Sequence, residues 1–255
     1  MKITTQLIYL TLLLITTISF GQNLPKFVYI EGGTFSMGDE IGKGNKDQQP
    51  IHKVTLMSFN ISQTEVTVAQ YRKYCNETGV GMPKEPSWGW QDNHPIVNVS
   101  WRDAMDYADW LSNKLKQKVR LPYEAEWEYA ARGGNKSKGY KYSGADNIAD
   151  VSWHDTNSKD KTNNVASKKA NELGLYDMSG NAFEWCMDKY DQNYYANSPK
   201  KNPKGATKGN RRVIRGGGWN LNTKFSRVAF RYGSAFTGEL YDYFGFRVVL
   251  INKEQ

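Results

Sequence analysis

Cysteine is nearly absent: Cys75 and Cys186 are the only two in a chain of 255 residues. They leave room for a single disulfide, which an exported chain permits and their separation does not require. Two buried free thiols fit the sequence equally well. A long apolar run is also missing beyond the N-terminus, so nothing after residue 21 offers a membrane span. There is no internal repeat and no clear linker. The formal charge of +8 comes without a nucleic-acid-binding motif. Its lysines lie mainly in 135–169 and 189–212, among Asn, Ser, Gly and interspersed acids, as in solvated loops. Nucleic acid is therefore not expected as a partner.

What is present begins with residues 1–21. Lys2 gives a positive start, residues 7–18 are mostly apolar with threonines, and Ser19-Phe20-Gly21 places small residues at −3 and −1. That pattern predicts a secretory signal peptide cut before Gln22. Neither cysteine lies near the cut, which excludes a lipid anchor on an N-terminal Cys. Residues 22–255 are expected as one secreted or periplasmic domain, with 39% hydrophobic residues, 8 Trp and 16 Tyr to build a core.

The spacing of apolar residues predicts an α+β domain low in regular structure. Gly32-Gly33 reads as a two-residue hairpin joining strands within 27–38, and residues 52–59 as a further strand. Thr67 with Gln70 forms a capping box for a helix whose buried stripe is Val68, Tyr71, Tyr74 and Cys75 and which Gly79 ends. Residues 96–99 read as a short strand. Ser100 with Asp103 starts a second helix, with Trp101, Ala104, Ala108 and Leu111 inward. A third helix follows Pro122 and stops at Gly133. Strands are expected at 211–215, 227–232 and 244–250. On the third helix Glu124 and Glu128 share one face, read as exposed, which argues against a glycosidase-type acid pair. Ser152, His154 and Asp155 are neighbours in one loop and do not make a hydrolytic triad.

The stretch Gly174–Asp188 mixes unusual demands. Gly174, Gly180 and Ala182 keep side chains out of the way, while Asp177 and Glu184 place two carboxylates beside Phe183 and Trp185. If the chain is extended from Gly180 to Glu184, the carbonyls of Gly180 and Ala182 face the same way as the Glu184 carboxylate. With Asp177 they form an oxygen-only pocket suited to a hard cation such as calcium. The same run also reads as two solvated carboxylates flanking a buried Trp. Residues 135–171 are long and irregular, so bound metal is one way to hold them, and Asp146, Asn147 and Asn157 carry suitable oxygens.

The segments 27–38, Glu65-Val-Thr67, 95–101, 120–134, 174–188, Arg215-Gly-Gly-Gly-Trp219 and Gly245-Phe-Arg247 occur in an order that resembles the formylglycine-generating enzyme, or sulfatase-modifying factor, family. The resemblance covers essentially the whole chain after the signal peptide. It implies an irregular, loop-rich fold related to C-type lectin-like folds. It also implies one calcium held by Asp177, the Gly180 and Ala182 carbonyls and Glu184. A second calcium would fall on Asn147 and the Ile148 carbonyl, with Asn157 and the Lys159 carbonyl as further partners.

In family enzymes two cysteines that bind copper(I) lie between the segments matching 215–219 and 245–247. Here the first falls near Leu221 and the second near Ser226 or in a deletion, and no cysteine follows Cys186. Family enzymes also carry Ser where Gly218 stands. Copper(I) requires soft thiolates, so copper is not expected and the resemblance carries the fold further than the oxidase activity. The expectation is therefore a calcium-stabilised family domain that binds or assembles at the cell envelope, with a protein or glycan partner. Its binding groove would lie near Trp185, Gly218, Trp219, Asn220 and Tyr232, unless those aromatics only fill the core. The alternatives are oxidation of a sulfatase cysteine to formylglycine, a related oxidation, or calcium-dependent sugar binding.

Overall fold

Local signals set the helices. Thr67 and Gln70 exchange side chain-to-backbone hydrogen bonds at 3.0 and 3.3 Å, and α1 (Val68–Thr78) follows, closed by Gly79 at φ 78°. Ser100 and Asp103 do the same at 2.8 and 3.1 Å ahead of α2 (Trp101–Leu115). Each such cap is worth about 1 kcal/mol. After Pro122 comes α3 (Glu124–Ala131), whose Glu126 returns to the Tyr123 N–H at 2.8 Å and pairs with Arg120. A four-residue α4 (Ile148–Val151) is the only α-helical turn in the irregular 135–171 stretch among the described residues. The computed structural model describes residues 24–42, 44–236, 238 and 240–251. The expected signal peptide, residues 1–21, lies outside them.

Among the described residues ten short strands form three sheets. β1 (Phe27–Ile30), β4 (Phe59–Ser62), β10 (Val249–Leu250) and β5 (Val119–Arg120) lie antiparallel in the order β1-β4-β10-β5. β2 (Gly33–Met37) and β3 (His52–Leu56) make an antiparallel pair. The third sheet runs β8-β7-β6-β9, from β6 (Phe183–Lys189), β7 (Arg211–Arg215), β8 (Arg231–Phe236) and β9 (Phe244–Gly245), with β9 parallel to β6. Alternate residues of β6 and β7 feed opposite sides: Phe183, Trp185 and Ile214 join α1 and α2 in one core, while Cys186 and Val213 join α3 in the other. The mixed α+β class and the loop-rich single domain match the sequence reading.

Several sequence expectations are corrected. Gly32-Gly33 is no hairpin, since β1 pairs with β4 and β2 with β3. Its glycines serve close approach, because a Cβ at Gly32 would sit 2.5 Å from the Leu56 carbonyl oxygen. Ile96, Val97 and Val99 are buried, but 96–99 form no strand. Ile96 N–H donates to Val66 and the Val99 carbonyl accepts the Trp185 indole N–H at 2.9 Å, so a side chain takes the place of a ladder partner. The 52–59 run breaks into β3 and β4, and the 244–250 run into β9 and β10. In the second break Arg247 turns inward, away from both ladders. The strand expected at 227–232 starts at Arg231, because Thr223–Ser226 form a 3-10 turn and Arg227 is tied to Asp39. Cys75 and Cys186 are free and sit in different cores, which removes the disulfide alternative.

The largest correction concerns α3. All eight of its residues are buried, Glu124 at 1% and Glu128 at 0% exposure. Its glutamates meet strand arginines: Arg231 holds Glu124 through two bonds of 2.7 and 2.8 Å, and Arg215 pairs with Glu128. A buried carboxylate needs such partners, and these come from far along the chain.

Candidate functional site

The loop ahead of β6 is wound by left-handed residues, Asp177 at φ 57°, Gly180 at 86° and Asn181 at 64°. Glycine fits this conformation freely, and Asp and Asn tolerate it. Gly180 has a further constraint, since a Cβ there would lie 2.2 Å from Ser152 Oγ. The Gly180 N–H donates to Gly216, the Asn181 N–H to Trp153, and the Asn181 carbonyl receives the Trp219 N–H. None of these loop bonds is received by the carbonyls of Gly180 or Ala182.

On the α3 side of β6, Glu184 is fully buried. Arg247 donates to it from Nε at 2.6 Å and Nη2 at 2.8 Å, and Trp127 Nε1 donates at 2.6 Å. Asp177 Oδ2 accepts the Ala166 N–H at 2.7 Å. A third carboxylate, Glu65, enters from the segment before α1. It accepts the Ala182 N–H at 3.2 Å and the Asn181 Nδ2 at 3.3 Å. Three buried carboxylates thus share one guanidinium. Burial, then Asp177 and Glu184, push the Glu65 carboxyl well above its usual range, and burial pushes Asp177 up to about 6. Arg247 offsets this shift only in part.

Those donors fit a hard divalent cation. Asp177 and Glu184 offer carboxylate oxygens with lone-pair capacity beyond the donors they receive, and two loop carbonyls stand nearby in sequence. Among the described residues no three of His, Cys, Asp and Glu converge as a ligand set, so a cation here would depend on carbonyl oxygen. Sequence reasoning passed over Glu65 as a ligand neighbour. The available signal was a lone acid between apolar Ile61 and Val66, which a buried position requires to be partnered.

The second expected site is more dispersed. Asn147 caps α4, its Oδ1 accepting from the Ala149 N–H at 3.3 Å and its Nδ2 donating to Asp150. Asn157 is tied to its own loop, accepting from the His154 N–H and donating to the Ser152 carbonyl. Lys159 has φ 59° and is exposed. Ile148 is half-buried, packed on Tyr142, Ala145 and Val151. Asn147 and Asn157 share no hydrogen-bond partner.

The expected groove separates into parts. Trp185 is 0% exposed, edge-on to Phe244 at 5.2 Å, and belongs to the core. Trp219 is half-buried, donates Nε1 to the Asp242 carbonyl at 2.9 Å and meets Trp88 edge-on at 5.1 Å. Gly218 is buried, and a Cβ there would come 3.2 Å from Tyr243 Cβ. Asn220 is exposed, and Tyr232 lies opposite Ile214 on the edge strand, 52% exposed. Leu221 is half-buried against the α1–α2 core. Ser226 is fully buried beneath Gly217, its hydroxyl without a partner. His154 Nδ1 lies 3.2 Å from Asp155, while the buried Ser152 hydroxyl has no partner, so no triad forms.

The family model for the sulfatase-modifying factor enzyme 1-like domain matches residues 17–251. Among curated relatives, the serine/threonine-protein kinase Pkn1 of Chlamydia trachomatis is 34% identical over 88% of this chain and 38% of its own. The chain thus spans well under half of that relative. The formylglycine-generating enzyme of Streptomyces coelicolor is 32% identical over 80% of this chain and 82% of its own. Among solved structures, PvdO from Pseudomonas aeruginosa superposes with a TM-score of 0.81 at 29% identity, covering 91% of this chain and 96% of that one.

Proposed function

Because the chain belongs to the sulfatase-modifying factor enzyme 1-like family, we propose that it uses the family fold as a calcium-stabilised binding domain at the cell envelope and does not carry out copper-dependent oxidation. The observation that carries this reading is the donor set near the family's copper positions. Leu221 offers a hydrocarbon and Ser226 a buried hydroxyl, and neither binds copper(I) as a thiolate does. Cys75 and Cys186 do not substitute, since both are buried, in separate cores, and burial pushes the Cys186 thiol well above its ordinary range. Tyr243 crowds Gly218, so the serine of family enzymes has little room there.

Calcium, when bound, supplies charge neutralisation at the Asp177–Glu184 loop. Asp177, Glu184 and the Gly180 and Ala182 carbonyls would hold it, Glu65 braces the loop through the Ala182 N–H, and Arg247 fixes the orientation of Glu184. The half-buried Trp219 and exposed Asn220 flank Leu221 and present the surface proposed to take an envelope partner, protein or glycan. Export through the 1–21 segment is part of this reading, and a mature N-terminus at Gln22 in secreted or periplasmic protein would support it.

A second reading keeps sulfatase maturation, favoured by the 82% coverage of the Streptomyces enzyme. The test is direct. Purified protein loaded with copper(I) is incubated with a cysteine-containing sulfatase peptide under oxygen, and the product mass is followed. Unchanged peptide is expected, whereas formylglycine formed catalytically would establish the second reading.

A further inference from the structure

Two adjoining clefts, of about 420 and 250 Å³, lie between residues 39–41 with Asn45 and residues 223–230, and they share Ile41, Lys141 and Arg227. The larger falls within the size of small-molecule sites, roughly 300–1,000 Å³. Its charges are unequal in status. Arg227 is neutralised by Asp39 at 3.1 Å, and Arg132 in the smaller cleft by Glu128 at 2.7 Å. Lys141 and Lys224 have no ion-pair partner among the described residues. Their ammonium groups rest over Tyr142 and Phe225, each 4.9 Å from the ring centroid. Behind Arg227, Gln48 accepts from its Nη2 at 3.2 Å, while the buried Gln48 Nε2 has no partner.

The rest of the larger cleft is apolar. Ile41 is 48% exposed at its mouth, Phe225 is partly buried, and Phe230 is 3% exposed and meets Phe225 edge-on at 5.0 Å. The cleft thus sets two cations that lack an ion-pair partner among the described residues beside the exposed Ile41 and the Phe225 ring. We propose that this cleft binds a small amphiphilic anion, a carboxylate or phosphate head carrying a compact aromatic or branched apolar body. The head lies between Lys141 and Lys224 and the body packs on Ile41 and Phe225. The cleft is separate from the calcium loop, and the proposal does not depend on the reading of oxidase activity.

The full mature chain, purified in calcium, is titrated with phenylpropionate and phenyl phosphate, with phenylpropanol and inorganic phosphate as controls. Calorimetry gives the affinity, and amide NMR gives the location. Both amphiphilic anions should saturate with shifts centred on Ile41, Lys141, Lys224 and Phe225, and their relative affinity identifies the head group. The alcohol and inorganic phosphate should bind at least about ten-fold more weakly. Lys141→Gln with Lys224→Gln should weaken binding by about ten-fold or more at an unchanged melting temperature. Phe225→Ala should weaken the anions while sparing the response to inorganic phosphate. The proposal is overturned by no saturation with either anion, by equal affinity for the alcohol, or by equal affinity for inorganic phosphate. Wild-type affinity in the double lysine variant also overturns it.

Discussion

Replacing Glu128 by Gln removes one charge from the centre of the molecule with almost no change of shape. Glu128 is fully buried and receives Arg132 Nε at 2.9 Å, Arg132 Nη2 at 2.7 Å, the Gly38 N–H at 3.0 Å and Arg215 Nη2. Burial alone would raise its pKa, but Arg132 and Arg215 outweigh it and hold the carboxyl below the usual range. A glutamine amide would turn an N–H toward one of these guanidinium groups. It would also leave Arg215, 0% exposed, with the Phe230 carbonyl and, as carboxylate partner among the described residues, Glu124 at 3.6 Å, itself engaged by Arg231. Breaking a buried pair in this way costs about 3–5 kcal/mol. At about 2–4 °C per kcal/mol for a domain of this size, melting should fall by roughly 6–20 °C. Glu40→Gln touches the same Arg132 from an exposed position at 3.5 Å and should cost under about 1 kcal/mol. Because the Glu128 pKa is depressed, its contribution is present above the unfolded-state pKa and is lost as pH falls through the folded one. The variant should therefore show a shallower acid limb. Calorimetric melts of the two variants from acid to neutral pH test this. A Glu128→Gln loss no larger than that of Glu40→Gln would refute the buried ionic core.

Four further outcomes are expected. Burial, with Lys161 nearby, pushes His94 down to about 4, so the folded state resists its protonation. Stability should drop as pH falls from about 6.5 toward 4, and His94→Gln should flatten that drop in denaturant titrations; an unchanged slope counts against it. Native alkylation should leave both thiols unmodified, and both should react after denaturation; an intact disulfide by mass would contradict the free cysteines. Chelation should lower the melting temperature, and readded calcium should restore it, whereas Glu184→Gln or Glu65→Gln should blunt the calcium response. Leu221→Cys with Ser226→Cys should gain copper(I) affinity that the parent lacks; no gain would mean the family's copper positions are misplaced on this chain.

What the sequence made legible was local. Thr67 with Gln70, Ser100 with Asp103, and Gly79 act within one helical turn, and each boundary fell where these residues set it. The misread positions depend on distant partners. Gly32 is small because residues 56–58 pass against it, which no neighbour in the chain announces. Glu124 and Glu128 looked like a solvated face because their arginines lie 107 and 87 residues further on. A usable signal was there: Arg215, Arg231 and Arg247 each sit in or beside apolar strand segments, and a cation in such a place calls for a buried acid elsewhere. Glu65 escaped notice in the same way, 117 residues before the Ala182 N–H it accepts. The resemblance put Trp185 beside the groove with core filling as the alternative, and strand alternation decides for the core, setting it with Phe183 against α2 and Glu184 on the opposite side.

Elemental analysis of the purified mature chain, after exposure to both calcium and copper(I) and removal of loosely held metal, bears most directly on the claim that a family scaffold persists here without its soft donors. Calcium retained in stoichiometric amount with no copper is the predicted result. Copper retained stoichiometrically by the native sequence would contradict it.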